Sequence, residues 1–229
     1  MSVARRRWRP ARLSALAAAV MVVSGCGSVH PGSAAVVGSQ SISHAEVDDV
    51  AAALCSANLE SAKAQGQAAQ ALPTRGVREG ALQILLETEL NQQFGEAEGV
   101  AANKQQVSQA VQQNAQGIAL LPADQQEDFR TALAGYAEGQ LMLIEVGREA
   151  LGADATDDEA IAEGTRLRGP FVDSLDVEVD PRYGTFEDGA FKRGGTALSV
   201  AASSQARAGE RANPPAGYVS TLPVSQQCS

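Results

Sequence analysis

The chain has 229 residues, of which 44% are hydrophobic, 20% charged and only 4% aromatic, a size and composition that suit one ordinary domain with a leader and a tail, or two small domains. Its 18 basic and 27 acidic side chains give a formal charge of −9. Arg5, Arg6, Arg7, Arg9 and Arg12 all precede residue 26, where no acidic residue stands, so the remainder carries 13 basic against 27 acidic side chains, or −14. A body of that charge does not bind nucleic acid non-specifically, because phosphate contacts need a basic face. Two histidines and three cysteines argue against a His-rich metal site, and no cofactor is expected.

Residues 1–25 read as a leader: a basic start, then the apolar run Leu13 to Val23. That run is about half the roughly 20 residues a membrane-spanning helix needs, and it suits the apolar region of a secretory signal. Its end, Val23-Ser24-Gly25-Cys26, resembles the bacterial lipobox. The resemblance implies cleavage between Gly25 and Cys26, acyl chains such as palmitate on the Cys26 thiol, and a chain anchored on the extracytoplasmic face of the cell membrane. Residues 26–33, rich in Gly, Ser and Pro, read as a tether with too little apolar surface to offset its ordering entropy.

The body opens with Ala34 to Ile42, a strand, a Gly38 turn and a second strand. Ser43 and Glu46 have capping-box spacing at the start of a first helix expected over 44–70. Its buried stripe is Val47, Val50, Ala51 and Leu54. A second helix is expected over 75–97, with Leu82, Leu86, Leu90 and Phe94 every four residues, Leu85 beside them, and Gly99 ending it. Asn103 and Gln106 suggest another cap, before a third, Gln-rich helix marked by Val107, Ala110, Val111 and Ala115. A fourth helix over 123–151 carries Phe129, Leu133, Tyr136, Leu143 and Ile144. Thr156 caps a fifth, whose first turn, Asp157-Asp158-Glu159, suits the helix dipole. Arg166 and Arg168 stand near its end, and Gly169-Pro170 stops or bends it. Asp176 to Asp180 alternates as a half-buried strand, and Pro181 to Gly184 turns away from it. From Gly189 onward Gly, Ala, Ser, Arg and Pro predominate, and residues 188–229 are expected to be largely disordered. The fold class is mainly α: a bundle of about five helices with a small β-element formed by the N-terminal hairpin and the C-terminal strand.

This order of elements resembles the N-terminal chaperone domain of the SurA and PrsA family of extracytoplasmic foldases. AAVVGSQSISHAEVDDV resembles the family's hairpin leading into a capped helix. VREGALQILLETELNQQFGEAEGV resembles its leucine-rich helix with a Gly-Val turn, and DVEVDPRYGTFE resembles the closing strand in relatives from high-GC Gram-positive bacteria. The resemblance spans residues 34–187. It implies binding of unfolded or partly folded exported proteins. Many members also insert a parvulin prolyl isomerase, which needs at least about 50 residues. The loop between Leu151 and Asp157 leaves no room for one, so isomerase activity is not expected.

No acid, base or nucleophile stands out as catalytic. Asp48-Asp49 and Asp157-Asp158-Glu159 are accounted for by helix capping and the dipole. His30 falls in the tether and His44 in a first helical turn, so serines lack a triad partner. Lys192-Arg193-Gly194-Gly195, the nearest approach to a phosphate loop, lies outside a strand-to-helix context and reads as a solvated linker. Tyr183 and Phe186 either close the core over the sheet edge, the better reading, or line a client groove. With Cys26 acylated, Cys55 and Cys228 remain in an oxidising compartment and are expected to form a disulfide. The sequence thus points to a lipid-anchored, non-enzymatic binder of non-native chains, whose acidic surface repels acidic clients, or alternatively to an adaptor lipoprotein that holds one folded cell-envelope partner.

Overall fold

The computed structural model describes residues 31–194, 202–209, 211, 214–215 and 217–228. The leader and Cys26 lie outside the described residues. β1 (Ser33–Val37) and β2 (Gln40–Ser43) form the expected hairpin through Gly38 and Ser39, with Val37 paired to Gln40. β1 thus begins one residue inside the expected tether. It is the middle strand of a three-stranded antiparallel sheet in the order β2-β1-β4. β4 (Val177–Val179) supplies the closing strand, Ala35 facing Val179. Ala34, Ala35, Val37 and Ile42 are buried, which is why this short run is so uniformly apolar.

Helix α1 (His44–Ala64) starts where Ser43 accepts the amide of Glu46 at 3.1 Å. It ends six residues before the expected limit at residue 70, short of the polar stretch Gln65 to Gln70. Gly66, at φ +66°, reverses the chain there, with Gly66 N–H bonded to the Lys63 carbonyl and Gln67 N–H to Ala62, the double bond of a Schellman cap. The two-residue strand β3 (Leu72–Pro73) leads into α2 (Thr74–Ala97). Leu82, Leu85, Leu86, Leu90 and Phe94 are all buried, so the four-residue repeat is the core stripe. Gly99 repeats the Schellman cap through Gly99 N–H to Glu96 and Val100 N–H to Gly95. Buried Val100 then packs in one cluster with Phe94.

The third expected helix is two: α3 (Lys104–Gln113) and α4 (Ala115–Leu120). They divide at Asn114, whose side-chain amide donates back to the Ala110 carbonyl at 2.8 Å and competes with the next helical turn. α5 (Gln126–Leu151) buries Ala137, Met142, Leu143 and Val146 rather than Phe129, Leu133, Tyr136 and Ile144, which are half-buried. Glycines explain the shift. A Cβ on Gly147 would overlap the Ala160 carbonyl of α6, and one on Gly164 of α6 would overlap the Leu143 carbonyl of α5. The two backbones therefore touch along a line of small residues.

α6 (Asp157–Ser174) has a reciprocal capping box: Thr156 accepts the Glu159 amide, and Glu159 accepts from Thr156 N–H at 2.9 Å. The helix runs through Pro170 for a further turn instead of stopping there. A mid-helix proline costs about 3 kcal/mol. Val172 is buried and the Phe171 ring lies tilted against Phe94 with centroids 5.6 Å apart, and this packing offsets that cost. Arg166 pairs with Glu163 on the surface, whereas Arg168 turns inward and donates to the side-chain carbonyl of Asn91 on α2. Burial lowers the pKa of Arg168.

The expected boundary at residue 187 falls inside a second hairpin, β5 (Gly184–Glu187) and β6 (Ala190–Arg193). Its two-residue turn, Asp188-Gly189, has both residues at positive φ, as a type I′ turn demands. Later described residues are also structured, a correction to the expected tail: α7 (Ser204–Gly209) and β7 (Gln227–Cys228), which pairs antiparallel with β3. Cys228 is buried there and bonded to Cys55, with Cα atoms 5.6 Å apart. The bond joins the two cysteines that the sequence left to pair, and it ties the end of the tail to α1. Among the described residues, no helix is long and apolar enough to cross a membrane.

Candidate functional site

α3 is capped by Asn103, whose Oδ1 accepts the amides of Gln105 and Gln106 at 2.9 and 3.4 Å. Val107 and Val111, four residues apart, form its apolar face. Yet no residue of α3 is buried. Its inner face stands off from α5 across a groove of about 440 Å³, in which Val107 and Val111 oppose Ala134, and Ile118 of α4 takes part in the lining. Ile118 is itself fully packed, and Leu120 at the end of α4 is 49% exposed. Polar groups edge the apolar strip: Ser108, Gln112, Gln126 and Arg130. Arg130 is held by Glu127 at 2.5 Å, and Gln126 donates to the Leu121 carbonyl at 2.9 Å. An apolar strip with a hydrogen-bonding border is the kind of surface that can take an apolar segment with polar partners near its backbone.

Tyr183 and Phe186 do not belong to this groove. Tyr183 is buried in the core, and Phe186 packs on the core opposite Phe191 across the β5–β6 ladder. The Tyr183 hydroxyl meets Arg78 Nη2 at 3.2 Å and His44 Nδ1 at 3.0 Å, and the Arg78 guanidinium lies 5.5 Å from the ring centroid. Arg182 donates to His44 Nε2 at 2.6 Å. Nε2 also lies 3.4 Å from the Asp180 carboxylate, so the ring bridges Tyr183 on one nitrogen and the Arg182–Asp180 pair on the other. Buried Asp180 accepts from Arg182 Nε and Nη2 at 2.9 and 2.5 Å and from the Arg182 amide at 2.9 Å. The Arg182 guanidinium holds the Asp180 carboxyl below the usual aspartate range, while burial pushes the Tyr183 hydroxyl up. Joining the start of α1, α2 and the turn after β4, the cluster acts as a clasp.

The acidic runs serve helix ends and ion pairs. Asp48 pairs with Arg78 at 2.6 Å, Asp157 pairs with Arg148, and the bonds from Thr156 hold the Glu159 carboxyl below its ordinary range. No group of three or more His, Cys, Asp or Glu residues among the described residues is placed to hold a metal ion. Gly25 and Cys26 lie outside the described residues, so the cleavage and acylation assigned to them rest on the leader's sequence. Sequence reasoning missed two features of the site. Asp188-Gly189 between alternating residues is a hairpin signal that would have found β5–β6. Nothing in the spacing of Val107 and Val111 shows that their face borders a groove and stays only half-buried.

Compared with known proteins, residues 4–137 match the family model of the SurA-like N-terminal domain. The match takes in β1 through the first half of α5, including both walls of the groove. No curated protein matches the chain, nor does any solved structure.

Proposed function

The chain belongs to the SurA-like N-terminal domain family, and from that premise we propose that it is a chaperone-type folding factor of the cell envelope, anchored through lipid on Cys26, which binds non-native exported polypeptides without isomerising prolines. The observation that carries the reading is the groove lined by half-buried Val107, Val111 and Ala134 within the matched region. An unfolded chain offers short apolar segments of that width. Ordering a flexible chain consumes part of the interaction energy, so affinity is weak and little dependent on sequence. The absence of isomerisation is supported by the connection between α5 and α6, only Gly152 to Thr156, where a catalytic insert would have to sit. Anchoring is supported by Val23-Ser24-Gly25-Cys26 after a short apolar run.

The test is suppression of aggregation of an unfolded model protein by near-stoichiometric domain. Val111→Asp should abolish suppression while leaving the melting temperature unchanged. A wild-type domain that leaves aggregation unaltered at several-fold excess favours an adaptor with one folded partner instead. A proline-limited refolding assay should show no acceleration of a step that takes tens of seconds uncatalysed. Detergent phase partitioning tests the anchor, because Cys26→Ala should move the protein to the aqueous phase.

A further inference from the structure

Among the described residues, arginines gather away from the α3–α5 groove, against the chain's acidic balance. A cleft of about 780 Å³ opens between the first turns of α2, the end of the β5–β6 hairpin and the C-terminal segment. Arg75, Arg78, Arg182, Arg193 and Arg211 line it, against a single carboxylate, Glu79. Three of these arginines are neutralised: Arg75 by Glu79 at 2.7 Å, Arg78 by Asp48 at 2.6 Å and Arg182 by Asp180 at 2.5 Å. Arg193 is not. Its Nε and Nη2 both donate to the neutral amide oxygen of Gln83, at 3.0 and 2.6 Å, which fixes the guanidinium without cancelling its charge. Arg211 has no carboxylate partner among the described residues. Arg193 lies against Gly80 of α2, and Arg75 lies beside Gly194 at the end of β6, so two guanidinium groups flank the α2–β6 seam.

The backbone adds to this field. Pro73 is the N-cap of α2, and it offers no side-chain acceptor; the first turn holds no acidic residue. α1, α3 and α6 are each capped by a side chain. The residues of α2's uncapped turn, Thr74, Arg75 and Gly76, line the cleft. The positive end of the helix dipole thus faces the same space as the arginines, although α4 and α5 also lack a side-chain cap.

We propose that this cleft binds an acidic segment of another polypeptide, its carboxylates set against Arg193, Arg211 and the α2 amides. Two observations favour a peptide over a single small oxyanion. The volume is in the range of about 300–1,000 Å³ that encloses ligands of many atoms. The walls also carry Pro73, Pro214, Tyr218 and Leu222, apolar surface that a bare phosphate leaves uncovered. The site is separate from the α3–α5 groove and has the opposite chemistry, so the net charge of −14 does not decide which segments the protein accepts.

The test uses the oxidised mature chain and a fluorescent peptide of alternating Glu and Leu, followed by anisotropy. Binding should weaken steeply with salt. The matching Gln-Leu peptide should bind about tenfold more weakly or worse, and Arg193→Gln and Arg211→Gln should each weaken the acidic peptide by about tenfold, the loss of one charge-assisted contact, with unchanged melting temperatures. Val111→Asp, in the other groove, should leave this binding intact. Equal affinity for the Glu and Gln peptides overturns the proposal, as does indifference to both arginine substitutions. Loss of binding in Val111→Asp overturns it too, by placing the peptide in the apolar groove. Tight binding of inorganic phosphate at the same arginines, without peptide binding, assigns the cleft to a small oxyanion and refutes the peptide.

Discussion

Arg168 and Asn91, 77 positions apart, meet inside the α2–α6 interface, where the guanidinium Nη1 donates to the side-chain oxygen of the asparagine. Asn91 is almost fully buried, and its acceptor is what makes the inward turn of Arg168 tolerable. Asn91→Leu should cost about 2–3 kcal/mol, because it leaves a charged donor without a partner in a dry setting. Asn91→Leu combined with Arg168→Met should recover much of that loss. Urea unfolding of the two variants checks both values.

The contact of α5 with α6 depends on the lack of a side chain at Gly147. Gly147→Ala should destabilise by about 3 kcal/mol, since the added methyl meets backbone, which cannot rotate away. Gly117→Ala is the control. Its Cβ would enter open space, and α4 should gain up to about 1 kcal/mol. Thermal melts of the pair separate steric exclusion from helix propensity.

Cys55 and Cys228 are 173 positions apart. Closing so long a loop is worth roughly 5 kcal/mol in the chain-entropy model. Reduction, or Cys228→Ser, should release β7 from β3 and lower the urea midpoint. Hydrogen exchange should show lost protection at Leu72 and Gln227 before the α2 core is affected. Unchanged protection on reduction would mean that the β3–β7 pairing holds the tail without the bond.

Acid sensitivity should come from Asp180. Its folded pKa is depressed by Arg182, so its contribution is fully present above the unfolded aspartate value of about 3.9 and is lost as pH falls through the lower folded value. Stability should therefore be level through neutral pH and drop below about pH 4. Asp180→Asn should be less stable at neutral pH and show a shallower acid slope. Denaturant midpoints measured across that range give the comparison.

Apart from the Cys55–Cys228 bond, legible because two cysteines were left to pair, what could be read from the sequence repeats or caps locally. The Leu82 to Phe94 stripe, the Val37-Gly38 turn, Ser43 and Thr156 each act within a few residues, and the structure has them where their spacing indicates. The clasp of His44, Tyr183 and Arg182 and the Asn91–Arg168 contact join single polar residues from distant elements. A lone polar residue on a helix carries the same local signature whether it faces water or a partner. Pro170 misled for a related reason: the cost of a mid-helix proline is local, while the packing of Phe171 and Val172 that offsets it is not. The groove was hidden because Val107 and Val111 look like any core stripe. Only the placement of α3 against α5 leaves a groove beside them. Arg193 was visible, but its neighbours across the cleft were not.

The middle position of β1 sets a temporal constraint on the molecule. Ala35 finds Val179 only after 144 further residues exist, whereas the β1–β2 hairpin needs fewer than a dozen. During synthesis or threading through a narrow channel, the hairpin is therefore complete long before its third strand arrives, and the outer edge of Ala35–Val37 presents unpaired backbone to any extended chain nearby. Helices α5 and α6, which interlock through Gly147 and Gly164, are neighbours in sequence and can meet early. Until β4 arrives the edge destined for it stays open on the nascent protein, and the β3–β7 pairing with its Cys55–Cys228 bond follows later still.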